Sequence, residues 1–446
     1  MPQRDDRFRT EELEGEPYAE VSCAGATWAV IAAALALGCN SSPSLAPPLS
    51  DFDGSPPMGD AAPPPPTDAT SSDSPTDAST TSDSPLGMLS TIDEPSAPCT
   101  QAGGTKTLLF SAADAQTTPA ISRLGTVVTQ RFGDGPGMFG SYATFDPTGA
   151  NPQIYKVTLG IVTNVIVSEG ATVGVGAANN TTIVYQRYNA QNTAIGQLQT
   201  LASGIAGPPN ALWMGAGGGG SLVVWALGEG LHAAGVTAAG VVAGPAFDFA
   251  TGGGASFDVT IAYGGTTYAL AWTAQPSANT YRSQFVLATP TGLMGAPVDI
   301  TTSTTAFHVV KLVPTPTGFA LLFAGILQDD HIYVVPLSAT GAVTGPAHRY
   351  LGADVPWDLA AQGTELGLVV EGNDVAVDGS EGPRTPLFRP LDATGHPLAP
   401  WVCLGNPVPA GQTQDLAIDA DETGYAIVYP TETSDEMFLL VDHLGQ

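Results

Sequence analysis

The side chains that could do chemistry are few and scattered. Six histidines, His232, His308, His331, His348, His396 and His443, fall far apart, with no HExxH or His-x-His spacing to bring two imidazoles to one metal. Asp329-Asp330-His331 is the densest acid-histidine cluster and reads as a solvated hairpin loop. Asp419-Ala420-Asp421-Glu422-Thr423-Gly424 matches part of a calcium loop, yet it stands where other segments carry a polar hairpin turn. Asp51-Phe52-Asp53-Gly54 lacks the later ligands of such a loop. Met214 to Gly220 satisfies GxGxxG, but it leads into the strand-like Leu222-Val223-Val224-Trp225 and not into a helix whose N-terminus could hold phosphate, so it reads as a flexible turn. G-x-S-x-G is absent. Arg384 and Arg389 with Glu381, and Arg282 beside Tyr281, are candidates for surface ion pairs or ligand contacts, with ion pairs on a solvated face the default. The expectation is no catalytic constellation, no metal site and no cofactor.

The elements around these residues explain the scarcity. The chain has 446 residues with 13 Lys+Arg against 42 Asp+Glu, a formal charge of −29, 53 Gly and 38 Pro. Phosphate neutralisation needs clustered cations, so nucleic acid is excluded as a partner. The Gly and Pro content, with almost no helical periodicity, favours an all-β or partly unstructured chain.

Residues Ala24 to Leu37 form an apolar run of 14, too short for a membrane-spanning helix and the length of a signal-peptide core. The run ends in Leu35-Ala36-Leu37-Gly38-Cys39, which resembles the lipobox of bacterial lipoproteins. That resemblance implies a signal peptide over 1–38, lipidation at Cys39 and a membrane anchor of several acyl chains. Asn40 in the next position, in place of Asp, implies the outer membrane. Residues 39–98 read as a disordered tether. Asn40 to Pro98 holds 13 Pro, 13 Ser, nine acids and no Lys or Arg, a composition that cannot bury enough apolar area to offset ordering. Such a coil reaches about 45 Å.

Over 99–446 one turn phrase recurs. Phe145-Asp146-Pro147-Thr148-Gly149, Tyr188-Asn189-Ala190-Gln191-Asn192, Val236-Thr237-Ala238-Ala239-Gly240, Ala288-Thr289-Pro290-Thr291-Gly292, Leu337-Ser338-Ala339-Thr340-Gly341, Leu391-Asp392-Ala393-Thr394-Gly395 and Val441-Asp442-His443-Leu444-Gly445 end in Gly, or once Asn. A turn demanding φ > 0 selects such residues. The last residues stand 43, 48, 52, 49, 54 and 50 apart. Runs such as Tyr268-Ala269-Leu270-Ala271-Trp272 and Phe319-Ala320-Leu321-Leu322-Phe323 alternate in size and suit a strand buried on both faces. About four strands per unit predict a β-propeller of seven blades. Six or eight blades, or two stacked β domains, stay open at this point. The last unit stops one strand short, and residues 99 to 122, with Thr107-Leu108-Leu109-Phe110, are expected to supply it. With Cys39 lipidated, Cys99 and Cys403 remain as a pair in an oxidising compartment, and a disulfide is expected.

Taken together the chain resembles bacterial secreted lipoproteins with a Ser/Pro/Asp-rich tether and propeller-like repeats. Leu391 to Gly395 with Trp401 resembles a turn of quinoprotein propellers, without that family's cofactor residues. The expected function is a monomeric, membrane-tethered module that binds or scaffolds an unknown protein or glycan on the periplasmic or surface side. The 26 acids and ten bases of residues 99–446 would favour cationic or neutral partners. The alternative is a carbohydrate-active hydrolase or lyase using acids that converge in the central channel.

Overall fold

A computed structural model of the chain describes residues 89–94, 99–101 and 106–444, apart from the links 113–119, 125–126, 134–139, 146–152, 157–162, 208, 210, 229, 250–254, 326–330, 352–356, 376–380, 405–415, 422–423 and 432–436. Cys39, the signal segment, most of the tether, Gly149 and Gly445 lie outside them. The described residues form seven sheets, antiparallel except for an outermost parallel strand on two of them. Their innermost strands, in chain order, are Ala120–Leu124, Thr163–Ser168, Ala211–Gly217, Ala255–Tyr263, Phe307–Thr315, Trp357–Gln362 and Ala417–Asp421. Each of these touches its counterpart in the next sheet, and the last touches the first, so the seven close into a ring. The fold is an all-β propeller.

The size alternation in the second strand of each sheet has a direct structural cause. In Gly220–Leu227, Val223 and Trp225 pack with Val165 and Tyr185 of the second sheet, whereas Leu222 and Val224 pack with Leu270 and Trp272 of the fourth. In Tyr268–Ser277 the large Tyr268, Leu270 and Trp272 face the third sheet while Ala269 and Ala271 face Phe319 and Phe323 of the fifth. Alternate residues of one strand thus feed two separate cores, as a period of two requires. Burying one such large side chain contributes about 1.5–3 kcal/mol.

The seventh sheet joins the two ends of the folded region. Lys106–Ala112 lies antiparallel to Met437–Leu444 as its outermost strand, with Thr107 opposite Val441. The strand that the last repeat lacks therefore comes from the segment expected to supply it.

The boundary between tether and propeller lies earlier than the sequence suggests. Thr91–Asp93, inside the stretch read as tether, pairs in parallel with Ala347–Leu351 on the outer edge of the fifth sheet. Ala347 N–H donates to Ser90 O (2.8 Å) and Glu94 N–H to Arg349 O (2.8 Å). Thr100–Gln101 pairs in parallel with Val402–Cys403 on the sixth sheet. Thr91–Asp93, Thr100–Gln101 and Lys106–Ala112, the described parts of a strap, thus lie on the outer edges of three consecutive sheets. Low apolar content hides such a segment, because an edge strand is held by backbone hydrogen bonds and needs no core side chain.

Candidate functional site

The innermost strands surround a central cavity of about 840 Å³. Its wall is mostly apolar and glycine-rich: Val165, Trp213, Met214, Ile261, Tyr263 and Leu359 stand beside Gly215 and Gly217 to Gly219. The glycine run that matched GxGxxG is a tight two-residue hairpin with Gly218 and Gly219 at φ 60° and 78°. Its looseness in the sequence is misleading. A Cβ on Gly217 would overlap the Tyr263 ring of the next sheet, so the absence of side chains lets two inner strands approach closely.

Polar groups reach the cavity at two places. On one wall Lys311 Nζ lies 3.1 Å from Asp358 Oδ1. Asp358 also accepts the N–H of Leu359 (2.9 Å) and, from the neighbouring sheet, the N–H of Ile418 (3.1 Å). Burial opposes the charge on Lys311, but Asp358 and then Asp419 outweigh it and raise its pKa above the ordinary value. Thr260 occupies the matching place two sheets earlier, where its Oγ1 accepts Leu312 N–H at 2.9 Å. Asp358 is therefore a tie between inner strands.

On another wall Glu169, its side chain fully buried, accepts from Arg187 Nε at 2.5 Å, from Tyr185 Oη at 2.6 Å and from Ser221 Oγ. Arg187 continues into the third sheet, donating to Ala238 O (2.6 Å) and Gly219 O (2.9 Å). Burial, and next the charge of Glu169, push the Tyr185 phenol well above its ordinary pKa. Here a carboxylate, a guanidinium and two hydroxyls join two sheets.

The repeat turns fall between the third and fourth strands of their sheets. Asn192, Gly240, Gly341 and Gly395 have φ of 57°, 74°, 85° and 96°, the conformation that Gly and Asn tolerate. Each donates its N–H to the carbonyl three residues back: Asn189, Thr237, Ser338 and Asp392. Gly292 departs from the expected pattern. It is not left-handed, sits in the short strand Gly292–Leu293, and the left-handed position falls at Gly295, φ 131°. The first polar residue of the phrase has a role the sequence reading missed. Asp392 Oδ1 accepts from Thr394 N–H (2.8 Å) and His396 N–H (3.0 Å), as Asn189 and Ser338 do in their own turns. The signal was present, since that position is Asp, Asn, Thr or Ser in all seven copies.

Cys99 and Cys403 come together with their Cα atoms 5.4 Å apart, a separation that a disulfide requires. They tie the strap to the sixth sheet. Arg389 is not a surface residue: it is 4% exposed, lies over the rings of Tyr350 and Trp401 at 5.7 and 5.2 Å, and donates to Ala399 O. Arg282 Nε lies 3.7 Å from Asp299 Oδ2, with its side chain only one-third exposed. The side chains of Arg384 and Glu381 and the acids Asp329 and Asp330 are outside the described residues, and His331 begins a strand. The histidines do not stay apart as their spacing suggests. His348 and His396, 48 residues from each other, both reach the strap residue Glu94.

No protein-family model matches the chain. No curated protein matches it. Among solved structures it is similar to the β-propeller domain of the Trilobed protease from Pyrococcus furiosus, at 10% identity over 74% of this chain and 95% of that one, with a TM-score of 0.44. It is also similar to the Dos1 propeller, at 10% identity, 75% and 79% coverage and a TM-score of 0.42. Apo AztD from Citrobacter koseri gives 11% identity, 74% and 87% coverage and a TM-score of 0.38.

Proposed function

We propose that the chain is an extracytoplasmic binding module, tethered through lipidated Cys39 to the outer membrane, which takes a neutral partner, a glycan or a protein loop, at its central channel. The observation that carries this reading is the engagement of Glu169, which lines the channel as Asp419 does, and of Asp358, the partner of the lining Lys311. Glu169 is shared among Arg187, Tyr185 and Ser221, and Asp358 between Lys311 and two backbone N–H groups. A general acid or base needs a carboxyl whose proton can move to and from substrate, and these carboxylates hold the ring together instead. The remaining wall, with Trp213 and Tyr263 standing among glycines, offers aromatic faces suited to uncharged rings.

The Cys99–Cys403 pair supports an oxidising compartment, and the Pro/Ser/Asp-rich segment before residue 89 supports a spacer. The test is a panel of neutral oligosaccharides titrated into the full chain, followed by intrinsic tryptophan fluorescence, with release of reducing ends assayed in parallel. Trp213→Ala should weaken binding by about 10-fold or more while Lys311→Met and Asp358→Asn together leave it within about threefold. Turnover of a polysaccharide that is lost in Asp358→Asn and Asp419→Asn would replace this reading with the hydrolase or lyase alternative. Mass spectrometry of the membrane-extracted chain, with and without Cys39→Ser, tests the anchor.

A further inference from the structure

Where the strap crosses from the fifth sheet towards the sixth, three side chains from three separate segments converge. Glu94, 7% exposed, comes from the strap; His348, 5% exposed, from the outer strand Ala347–Leu351; and His396 from the repeat turn of the sixth sheet, its imidazole facing solvent. His348 Nδ1 lies 2.6 Å from Glu94 Oε1, and His396 Nδ1 lies 3.4 Å from the same oxygen. Ligand atoms of the three residues all lie within 4.8 Å of one another.

Each of the three is held by its own backbone hydrogen bonds. Glu94 N–H donates to Arg349 O, His348 sits in the ladder opposite Val334, and the carbonyl and amide of His396 are bonded to Asp392. Neighbouring Gly395 stands against the His348 ring, where a Cβ would crowd it. Two imidazoles and one carboxylate, preset in this way, are the ligand set of a tetrahedral zinc centre with one open position, and the exposed side of His396 is where water would enter. Bringing three ligand atoms to about 2.0–2.2 Å from one cation needs the short Glu94–His348 contact to open by about 1 Å, within the reach of side-chain rotation. Of the neighbouring charges, Asp93 is paired with Arg349 at 2.5 Å.

We propose that Glu94, His348 and His396 bind a divalent cation of the zinc class and that this ion clasps the strap to two adjacent sheets. The end of the tether would then be fixed to the ring by metal at one point and by the Cys99–Cys403 pair at another. The site does not depend on what the channel binds.

The test uses the full chain, stripped with a chelator and titrated with zinc chloride by calorimetry, then loaded with Co²⁺ for its visible spectrum. One saturable equivalent is expected, with the intense ligand-field absorption of tetrahedral cobalt and a rise in the thermal midpoint. His396→Ala changes an exposed turn side chain and keeps the fold, and it should weaken binding by about 10-fold or more; Glu94→Gln should do the same. Two results would overturn the proposal: no saturable zinc binding up to millimolar metal, which leaves a plain histidine–glutamate contact, or binding that His396→Ala and His348→Ala both leave unchanged, which places the ion on other histidines.

Discussion

The seam between the second and third sheets and the seam that closes the ring are built from different materials. At the first, segments 32 to 51 residues apart meet, joined by Arg187, which holds Glu169 and donates to the carbonyls of Ala238 and Gly219, with Val223 and Trp225 packed on Tyr185. At the second, Lys106–Ala112 must find Met437–Leu444 more than 300 residues away. Loop closure over that length has an entropic cost that packing between neighbours does not carry. The segment that makes this closure is also held before it reaches the seventh sheet, by backbone pairing with the fifth and sixth sheets, the Cys99–Cys403 pair and the Glu94 cluster. Long-range closure in this propeller is reinforced where the chain is least able to close itself.

The largest expected effect follows from that difference. A covalent link across 304 residues restricts the unfolded chain, and in the chain-entropy model it contributes about 5 kcal/mol. The double variant Cys99→Ser/Cys403→Ser should therefore lower stability by up to about 5 kcal/mol in guanidinium denaturation, and reducing agent should lower the wild type to the same level. A loss no larger than that of an ordinary surface substitution would show that the closing seam needs no special reinforcement.

Arg187→Ala tests the mid-chain seam. It leaves Glu169 buried without its guanidinium and removes two carbonyl contacts to the next sheet, for an expected cost of about 3–5 kcal/mol. This cost should be indifferent to reducing agent, because nothing covalent is involved. If the Arg187→Ala and cysteine losses prove strongly non-additive, the two seams are one cooperative unit and the distinction between them fails.

A matched pair sharpens the comparison at smaller scale. Tyr268 Oη donates to Gly217 O (3.1 Å) across the seam of the third and fourth sheets, and Tyr350 Oη donates to Gly395 O across the seam of the fifth and sixth, beneath the strap. Tyr→Phe removes one hydroxyl at each. Each should cost about 1 kcal/mol, with a larger penalty at Tyr350 because its carbonyl partner is left more completely enclosed. Equal losses, read from urea midpoints, would mean that the strap adds no local rigidity.

What the sequence disclosed follows the same division. The repeat turns, the two-faced strands around Trp272 and Phe323, and the late strand near Thr107 were legible because each is written in residues close together or recurring at a fixed period. Glu94, His348 and His396 were not legible as a group, since nothing in a spacing of 48 or about 250 residues announces convergence. Arg389 looked like a surface charge because the aromatic rings that enclose it, Tyr350 and Trp401, come from another strand and another turn. Asp358 was hidden for a different reason: a lone aspartate in an inner strand carries no local sign that its acceptor serves the next sheet's backbone.

The smallest effect tests whether the repeat turns belong to the local or the closing part of the structure. Burial works against the Asp392 charge, but the Thr394 hydroxyl, the His396 and Thr394 N–H groups and the nearby His396 ring together hold its carboxyl below the ordinary value. A carboxyl with a lowered folded pKa contributes stability above its unfolded pKa of about 3.9 and loses it as pH falls through the folded value. Asp392→Asn keeps an acceptor in the turn without a titrating group. The wild type should exceed Asp392→Asn near neutral pH by only a few tenths of a kcal/mol, since the carboxyl is partly solvated and screened. The difference should vanish in acid, as measured by urea midpoints on either side of pH ~4. Ser338, which holds the equivalent turn one sheet earlier with a hydroxyl, supplies the control: Ser338→Ala should lower stability by a similar small amount with no dependence on acid. A gap at Asp392 that reduction of the cysteines removes would show that this turn draws its geometry from the strap beside it, and that closure reaches further into the sixth sheet than its backbone pairing alone implies.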